Sequence, residues 1–508
     1  MAPSPPPAWW QTRGWIAAAV LASIAPLAWP AVPPLTDLPG HLGRYRILAE
    51  AGMPPLSVHY AVQPVLLGNM GVDLLVLALA PLLGLEPAAH LVVALIPGLF
   101  AGGVIWLSRE VHGRIAPATA FALPLAYALP FQLGFVNFAL AGALAILGLA
   151  LWLCLARRGW PLPARAPLCA ALAGPVWLAH SFGWALLGLF VFGAEWVVQR
   201  ERRRPAMRAA LVAALAAAPM VWPQALAMWQ GTPLAGDTGD WLNLSAKAQW
   251  IASLLRERWK PYDVAAVILL ALLLWTAFRS RRLGFAPRAG VPAALCVLAF
   301  LLLPRLYAGG AYVDARALPY AVALAIVAIR VRDEDSAFSA RLALLGNAFF
   351  AVRTTTSIVA LALFAREQQA ELAALPYLPQ GTAVLALVHE PISSDWNNPR
   401  LAHIAGLAVA RRRAFTNEQW AIAGQQPITT RHPAAAPLDR DPSQLIRSDG
   451  SGGRLSFDQA IARFDRATFR YVWTIGFPPG RAHAPDLAPV WSNGRSALYR
   501  VTAPERPR

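Results

Sequence analysis

Residues 36–45 read TDLPGHLGRY and place Asp37, His41 and Arg44 within eight positions of one another. They follow almost directly on an apolar run that starts at Gly14, where a plain anchor needs no such cluster. A carboxylate at a water–lipid boundary can accept a proton from a hydroxyl or amine nucleophile. Pro39 suits the first turn of a helix, where its missing N–H costs nothing, and Thr36 or Asp37 can cap that turn. In a continuous helix Asp37 and His41 share a face, and Leu38, Leu42, Tyr45 and Leu48 form an apolar stripe at 3–4 spacing. The segment is therefore expected to be a helix lying along the membrane with Asp37 at its start. A plainer reading of the same residues makes Asp37 a cap and sets His41 and Arg44 against lipid headgroups.

Three other stretches break apolar surroundings with polar residues. LPFQLGFVNF (129–138) carries Gln132 and Asn137 between aromatics, and LAHSFGW (178–184) carries His180. RLYAGGAYVDARALPY (305–320) brings Arg305, Asp314 and Arg316 together. A guanidinium fork matches a phosphate, so Arg316 is a candidate for one, or else it pairs with Asp314. The aromatics around these residues also fit an interfacial belt. Arg353 lies inside an apolar segment, where a charge needs a partner or a cavity. No Walker loop, HExxH pair or nucleophile elbow is visible.

The elements that must position these residues are membrane helices. Of the 508 residues 57% are hydrophobic and 14% charged, against about 25% charged in soluble domains. The formal charge of +17 is concentrated in short arginine-rich loops at 157–165, 200–208 and 279–288. That is the positive-inside pattern; with two lysines and no basic–aromatic interleaving it does not point to nucleic acid. The three cysteines fall in apolar segments and support neither a disulfide framework nor a metal cluster. About eleven spans are expected, at 14–32, 88–107, 115–133, 135–155, 166–180, 182–198, 205–223, 262–278, 289–303, 317–331 and 342–364. The short apolar segment 71–85 is read as an interfacial or re-entrant helix, because counting it as a span would turn the arginine loops outward. The N-terminus is then cytoplasmic and the C-terminus outside.

After Phe364 hydrophobic runs shorten and charge rises. AVLALV (383–388), FRYVWTI (469–475) and SALYRV (496–501) read as strands, 457–464 as part of a helix, and 431–453 as a loop. The division expected is a transmembrane module over 1–364, with an outer loop at 33–87, followed by a soluble α/β domain over 365–508. The fold class is mainly α, a polytopic transmembrane helical bundle with a small C-terminal α/β extracytoplasmic domain.

This layout resembles the GT-C superfamily of integral-membrane glycosyltransferases. The resemblance rests on the acid of TDLPGHLGRY after the first span, on NMGVDLLVLALAPLLGLEPAAHLVVAL (69–95) as a juxtamembrane helix leading into span two, and on SREVHGRIAPATAFAL (108–123) as the turn into span three. It covers most of residues 1–364, and Asp37, Pro39 and His41 match a D-x-P-x-H segment of bacterial GT-C-like proteins. It implies a transferase that moves a sugar from a polyprenyl-phosphate-linked donor to a glycan, lipid or protein acceptor at the periplasmic face of a bacterial inner membrane. Asp37 would be the general base, and His41, Arg44, Asn137, His180, Arg305, Asp314 and Arg316 would bind substrate. Many members carry a second acid near the outer start of span four. Here that place reads LGFVNF, with Asn137 and no carboxylate, so a divalent metal is weakly supported and no cofactor is certain. Two further readings are a transporter or flippase for lipid-linked sugars, which would use Arg353 and Glu195 at mid-membrane, and a non-catalytic envelope-assembly protein.

Overall fold

The polar clusters sit at the ends of apolar helices, and small residues decide how closely those helices pack. The structure, a computed structural model, describes residues 7–63, 65–231, 236–332, 336–389, 396–421, 426–438, 445–446 and 455–502. The chain divides into two compact units, Met1–Trp29, Leu66–Val72 and Val92–Val359 in one, and Pro30–Val65, Asp73–Leu91 and Ala360–Arg508 in the other.

The first unit is helical. Among the described residues of the whole chain seven helices are long and apolar enough to cross a membrane: Leu85–His112, Val136–Arg157, Leu162–Ala179, Ser181–Glu201, Ala206–Trp229, Lys260–Arg279 and Ser336–Tyr377. Shorter apolar helices cover Arg13–Leu27, Gly71–Leu83 and Pro287–Leu302. Two expected spans take another form. Residues 115–133 are not one α-helix but a 3-10 helix, Thr119–Tyr127, followed by one α-turn, Leu129–Gln132. Pro117, Pro124 and Pro130 remove donors at intervals too short for an α-helix to recover. Residues 317–331 form the helix Leu318–Ala328 and then a strand, Ile329–Val331, antiparallel to Leu283–Phe285. Without hydrophobic contrast between helix and lipid, association depends on close approach. Gly183 supplies it, since a Cβ there would lie 2.4 Å from Ala141 Cβ. Gly142 receives the Tyr320 ring in the same way.

The second unit holds a mixed sheet in the order Phe415–Thr416, Ala383–His389, Tyr471–Ile475, Ala497–Val501, Leu487–Ser492. Ala383–His389 runs parallel to its neighbours Phe415–Thr416 and Tyr471–Ile475, and Leu445–Ile446 also pairs with it in parallel. Ala497–Val501 is antiparallel to both strands beside it. The three strands and the helix read from sequence are present, the helix as Phe457–Arg463 with a Ser456–Gln459 capping box. Part of the expected loop at 431–453 lies outside the described residues.

The core of this sheet is completed by residues between Ile47 and Tyr60. Ile47, Leu56 and Tyr60 are buried in the same cluster as Leu385, Phe415, Phe457, Phe469 and Val472. The helix Leu38–Ala49 lies on Gly406–Arg412, and Tyr60–Val62 pairs antiparallel with Ile428–Thr430. This corrects the expectation of a helix lying on a lipid surface: Leu38–Ala49 is buried on nearly all sides, from Leu38 to Tyr45 without interruption. The contact depends on absent side chains. A Cβ on Gly406 would fall 2.3 Å from Pro39 O, and one on Gly43 would fall 2.4 Å from Gln419 Nε2 and 3.0 Å from Gly406 O.

At the far end of the two helices Glu50 accepts from Arg413 Nε and Nη2 at 2.7 and 2.8 Å and from Arg46 Nη1 at 2.9 Å. Burial works to raise the Glu50 carboxyl, but the bonds from Arg413, with Arg46 behind them, outweigh it and hold the group below its ordinary value of 4.5. A depressed carboxyl stabilises the fold above that ordinary value and ceases to do so as the pH falls through the folded one.

Two outcomes follow. Gly406→Val should destabilise the chain by about 2 kcal/mol through overpacking against backbone, read as a lower unfolding midpoint, with protease nicking inside 30–65. Glu50→Gln should lower the midpoint at neutral pH, and the difference from wild type should shrink as the pH drops below the ordinary glutamate range.

Candidate active site

Asp37 stands at the N-cap position of Leu38–Ala49, yet its side chain makes no cap bond to the helix. The capping alternative therefore falls. Its side chain is 17% exposed, with His403 Nε2 3.8 Å from Asp37 Oδ1. His403 Nδ1 faces the fully buried Glu418 Oε2 at 3.5 Å. Neither separation is that of a closed hydrogen bond.

Each member of this row is placed by its neighbours. The His403 ring stacks on Trp420 at 4.2 Å between centroids, and His41 packs near the same indole at 5.3 Å. Gly40 lets the indole and Glu418 approach, since a Cβ there would meet Trp420 Cζ3 at 2.7 Å and Glu418 Oε2 at 3.0 Å. Gln419 Nε2 donates to Glu418 Oε1 and to Gly40 O. The turn that carries His403 is pinned by Arg400, whose Nη1 donates to Pro34 O at 2.8 Å while its guanidinium lies 4.5 Å over Phe364. Burial raises the Glu418 carboxyl above its ordinary value, against smaller opposing effects from His403, Gln419 and Thr416.

Arg44 belongs to the same helix but is wholly buried. Its Nε and Nη2 donate to Asp73 at 2.7 and 3.1 Å, and Nη1 donates to Gln426 Oε1 at 2.6 Å. In this arrangement the fork holds the start of Gly71–Leu83 instead of opening toward a ligand.

The remaining predicted residues lie in the other unit. His180 has extended backbone between Leu162–Ala179 and Ser181–Glu201, and its Nδ1 accepts from Phe182 N at 3.0 Å. Arg316 Nη1 approaches His180 Nε2 at 2.9 Å, and Nη2 donates to Ala311 O at 3.2 Å. The guanidinium lies 4.7 Å over Phe135 and 5.5 Å over Phe138. Both ring nitrogens of His180 thus meet donors, while a neutral imidazole accepts at only one. The ring cannot add a proton here without turning N–H against N–H, and one donor stays poorly served.

Arg316 does not pair with Asp314, as its alternative reading had it. Asp314 Oδ2 accepts from the buried Lys247 Nζ at 3.0 Å, and Lys247 also donates to Phe300 O and Leu303 O. Arg305 donates to Asp240 on a part-exposed surface. Asn137 ties the entry of a helix, accepting from Val72 N at 2.6 Å and donating to Asn69 O at 2.8 Å. The two mid-membrane ions expected to serve a transporter are paired. Arg353 donates to Asp263 at 2.8 Å with Glu257 at 3.5 Å, and Glu195 accepts from Arg165, Trp152 and Gln199.

The sequence reading missed His403 and Glu418. The signal lay in TNEQW (416–420), a polar run entering directly from a buried strand, in which Thr416, Asn417, Glu418 and Gln419 are all buried. Among the described residues no group of three or more His, Cys, Asp or Glu side chains is placed to hold a metal ion. Breaking the Arg44–Asp73 pair by Asp73→Asn should cost about 3 kcal/mol by leaving a buried cation poorly compensated, whereas the double change Arg44→Met with Asp73→Leu should recover most of the loss in thermal unfolding.

No known family profile matches the chain, and no curated protein matches it. Among solved structures it is similar to ArnT from Cupriavidus metallidurans bound to undecaprenyl phosphate, at 14% identity and TM-score 0.50, over 97% of this chain and 99% of that one. The apo state of the same protein aligns over the same shares at 15% identity and TM-score 0.48. The likeness to the lipid-bound form spans both chains almost entirely, and by it this chain shares the fold of that ArnT structure.

Proposed function

We propose that the chain is a membrane glycosyltransferase of the inner membrane that moves a sugar from a polyprenyl-phosphate-linked donor to an acceptor at the periplasmic face. The observation that carries the reading is Asp37: a carboxylate at a helix start that the helix does not use, partly open, with a histidine behind it. The fold adds support, because the similar ArnT structure holds undecaprenyl phosphate.

In the proposed reaction an acceptor hydroxyl or amine attacks the anomeric carbon while Asp37 takes its proton. The bond from that carbon to the phosphate oxygen breaks, and the lipid phosphate leaves with the electron pair. One displacement inverts the anomeric centre. Arg316 is the group proposed to meet the leaving phosphate. Its Nη1 now faces a crowded imidazole nitrogen, and an oxyanion is the better acceptor for a guanidinium. His180 then orients Arg316. Asn137, Arg305 and Asp314 serve through the backbone and ion pairs they hold, and His41 through its packing on Trp420.

The test is release of free polyprenyl phosphate from synthetic polyprenyl-phosphate sugars by the purified chain in nanodiscs. Asp37→Asn should lower release by about 100-fold or more, and Arg316→Ala by a similar factor, with unchanged insertion and unfolding midpoint. Near-normal release by the Asp37 variant removes it as the base.

A further inference from the structure

We infer that His403 and Glu418 form a proton relay behind Asp37, the histidine passing to the buried glutamate the proton that Asp37 removes from the acceptor. This rests on the reading of Asp37 as the base. The geometry is a graded row. Asp37 is the open end at 17% side-chain exposure, His403 is at 5%, and Glu418 is sealed at 0%. The two ring nitrogens of His403 face opposite carboxylates, Nε2 toward Asp37 and Nδ1 toward Glu418. The Trp420 indole beneath the ring holds its plane, so both nitrogens stay in line. The separations of 3.8 and 3.5 Å are those of a row at rest; catalytic hydrogen bonds commonly close only with substrate bound.

The step balances without any outside reagent. The acceptor's O–H or N–H bond breaks and an Asp37 O–H bond forms. Asp37 gives that proton to His403 Nε2, and the Nδ1 proton moves to Glu418 Oε2. Asp37 ends ionised and the imidazole neutral, with the proton on the glutamate. Burial makes Glu418 a stronger base than an ordinary carboxylate, so it is the better final holder. The charged or titratable groups around the row are Asp37 and His41 on the first-loop helix, Glu418 after the strand, and Arg44, whose charge is felt by Asp37. His403 and Glu418 touch no reacting atom in this scheme, and both are positioning residues.

An activity assay on the full chain in nanodiscs separates this inference from the reading beneath it. In the release assay Glu418→Gln should lower kcat about tenfold with little change in KM and should shift the acidic limb of the kcat profile, and imidazole should partly restore His403→Gly. A Glu418→Gln variant with a wild-type pH profile overturns the relay. Full release by Asp37→Asn overturns the base reading, and the relay with it.

Discussion

The contact on which the candidate site depends is one of backbone against backbone. Gly406 brings the helix Gly406–Arg412 down onto Pro39 and Gly40, and no side chain fits between them. That approach sets the start of Leu38–Ala49, and with it Asp37, beside the turn that carries His403. It also lets Gly40 admit Trp420 and Glu418. The ion pairs of Glu50 at the opposite end stop the two helices from rotating about that contact. Acid, imidazole and indole are held by packing in which each member has little room to move, which is how a constellation keeps its spacing.

In the helical unit buried charge is handled differently. Arg353 meets Asp263 and Glu257, Arg165 meets Glu195, and Lys247 meets Asp314 with two carbonyls beside it. Each of these cations is matched on the spot, and the pairs knit helices together. Arg316 differs in kind. Its guanidinium lies over two phenylalanine faces, donates to a carbonyl and approaches a histidine whose other nitrogen already serves a helix end.

Much of this was legible in the residues. Apolar length announced the helices, because that signal is local and repeats a known physical need, and D-x-P-x-H marked the segment proposed here as the site. The strands 383–389, 471–475 and 497–501 were visible through β-branched and aromatic runs. His403 and Glu418 were not, since their meaning comes from Asp37 more than 360 positions away, and neither belongs to a motif. The fate of 115–133 was written in its three prolines and obscured by its uniform hydrophobicity. The burial of Leu38–Ala49 escaped for a related reason: an apolar stripe looks the same whether it faces lipid or a sheet.

Tyr60, Ile47 and Leu56 give the sheet of the second unit part of its core from a segment made long before the rest. At a synthesis rate of about 5–20 residues per second, roughly 20–70 s pass between the emergence of Gly40 and that of Gly406. Through that interval the segment that carries Ile47, Leu56 and Tyr60 has not met the strands it packs against, so this part of the core closes only after residues far along the chain are made.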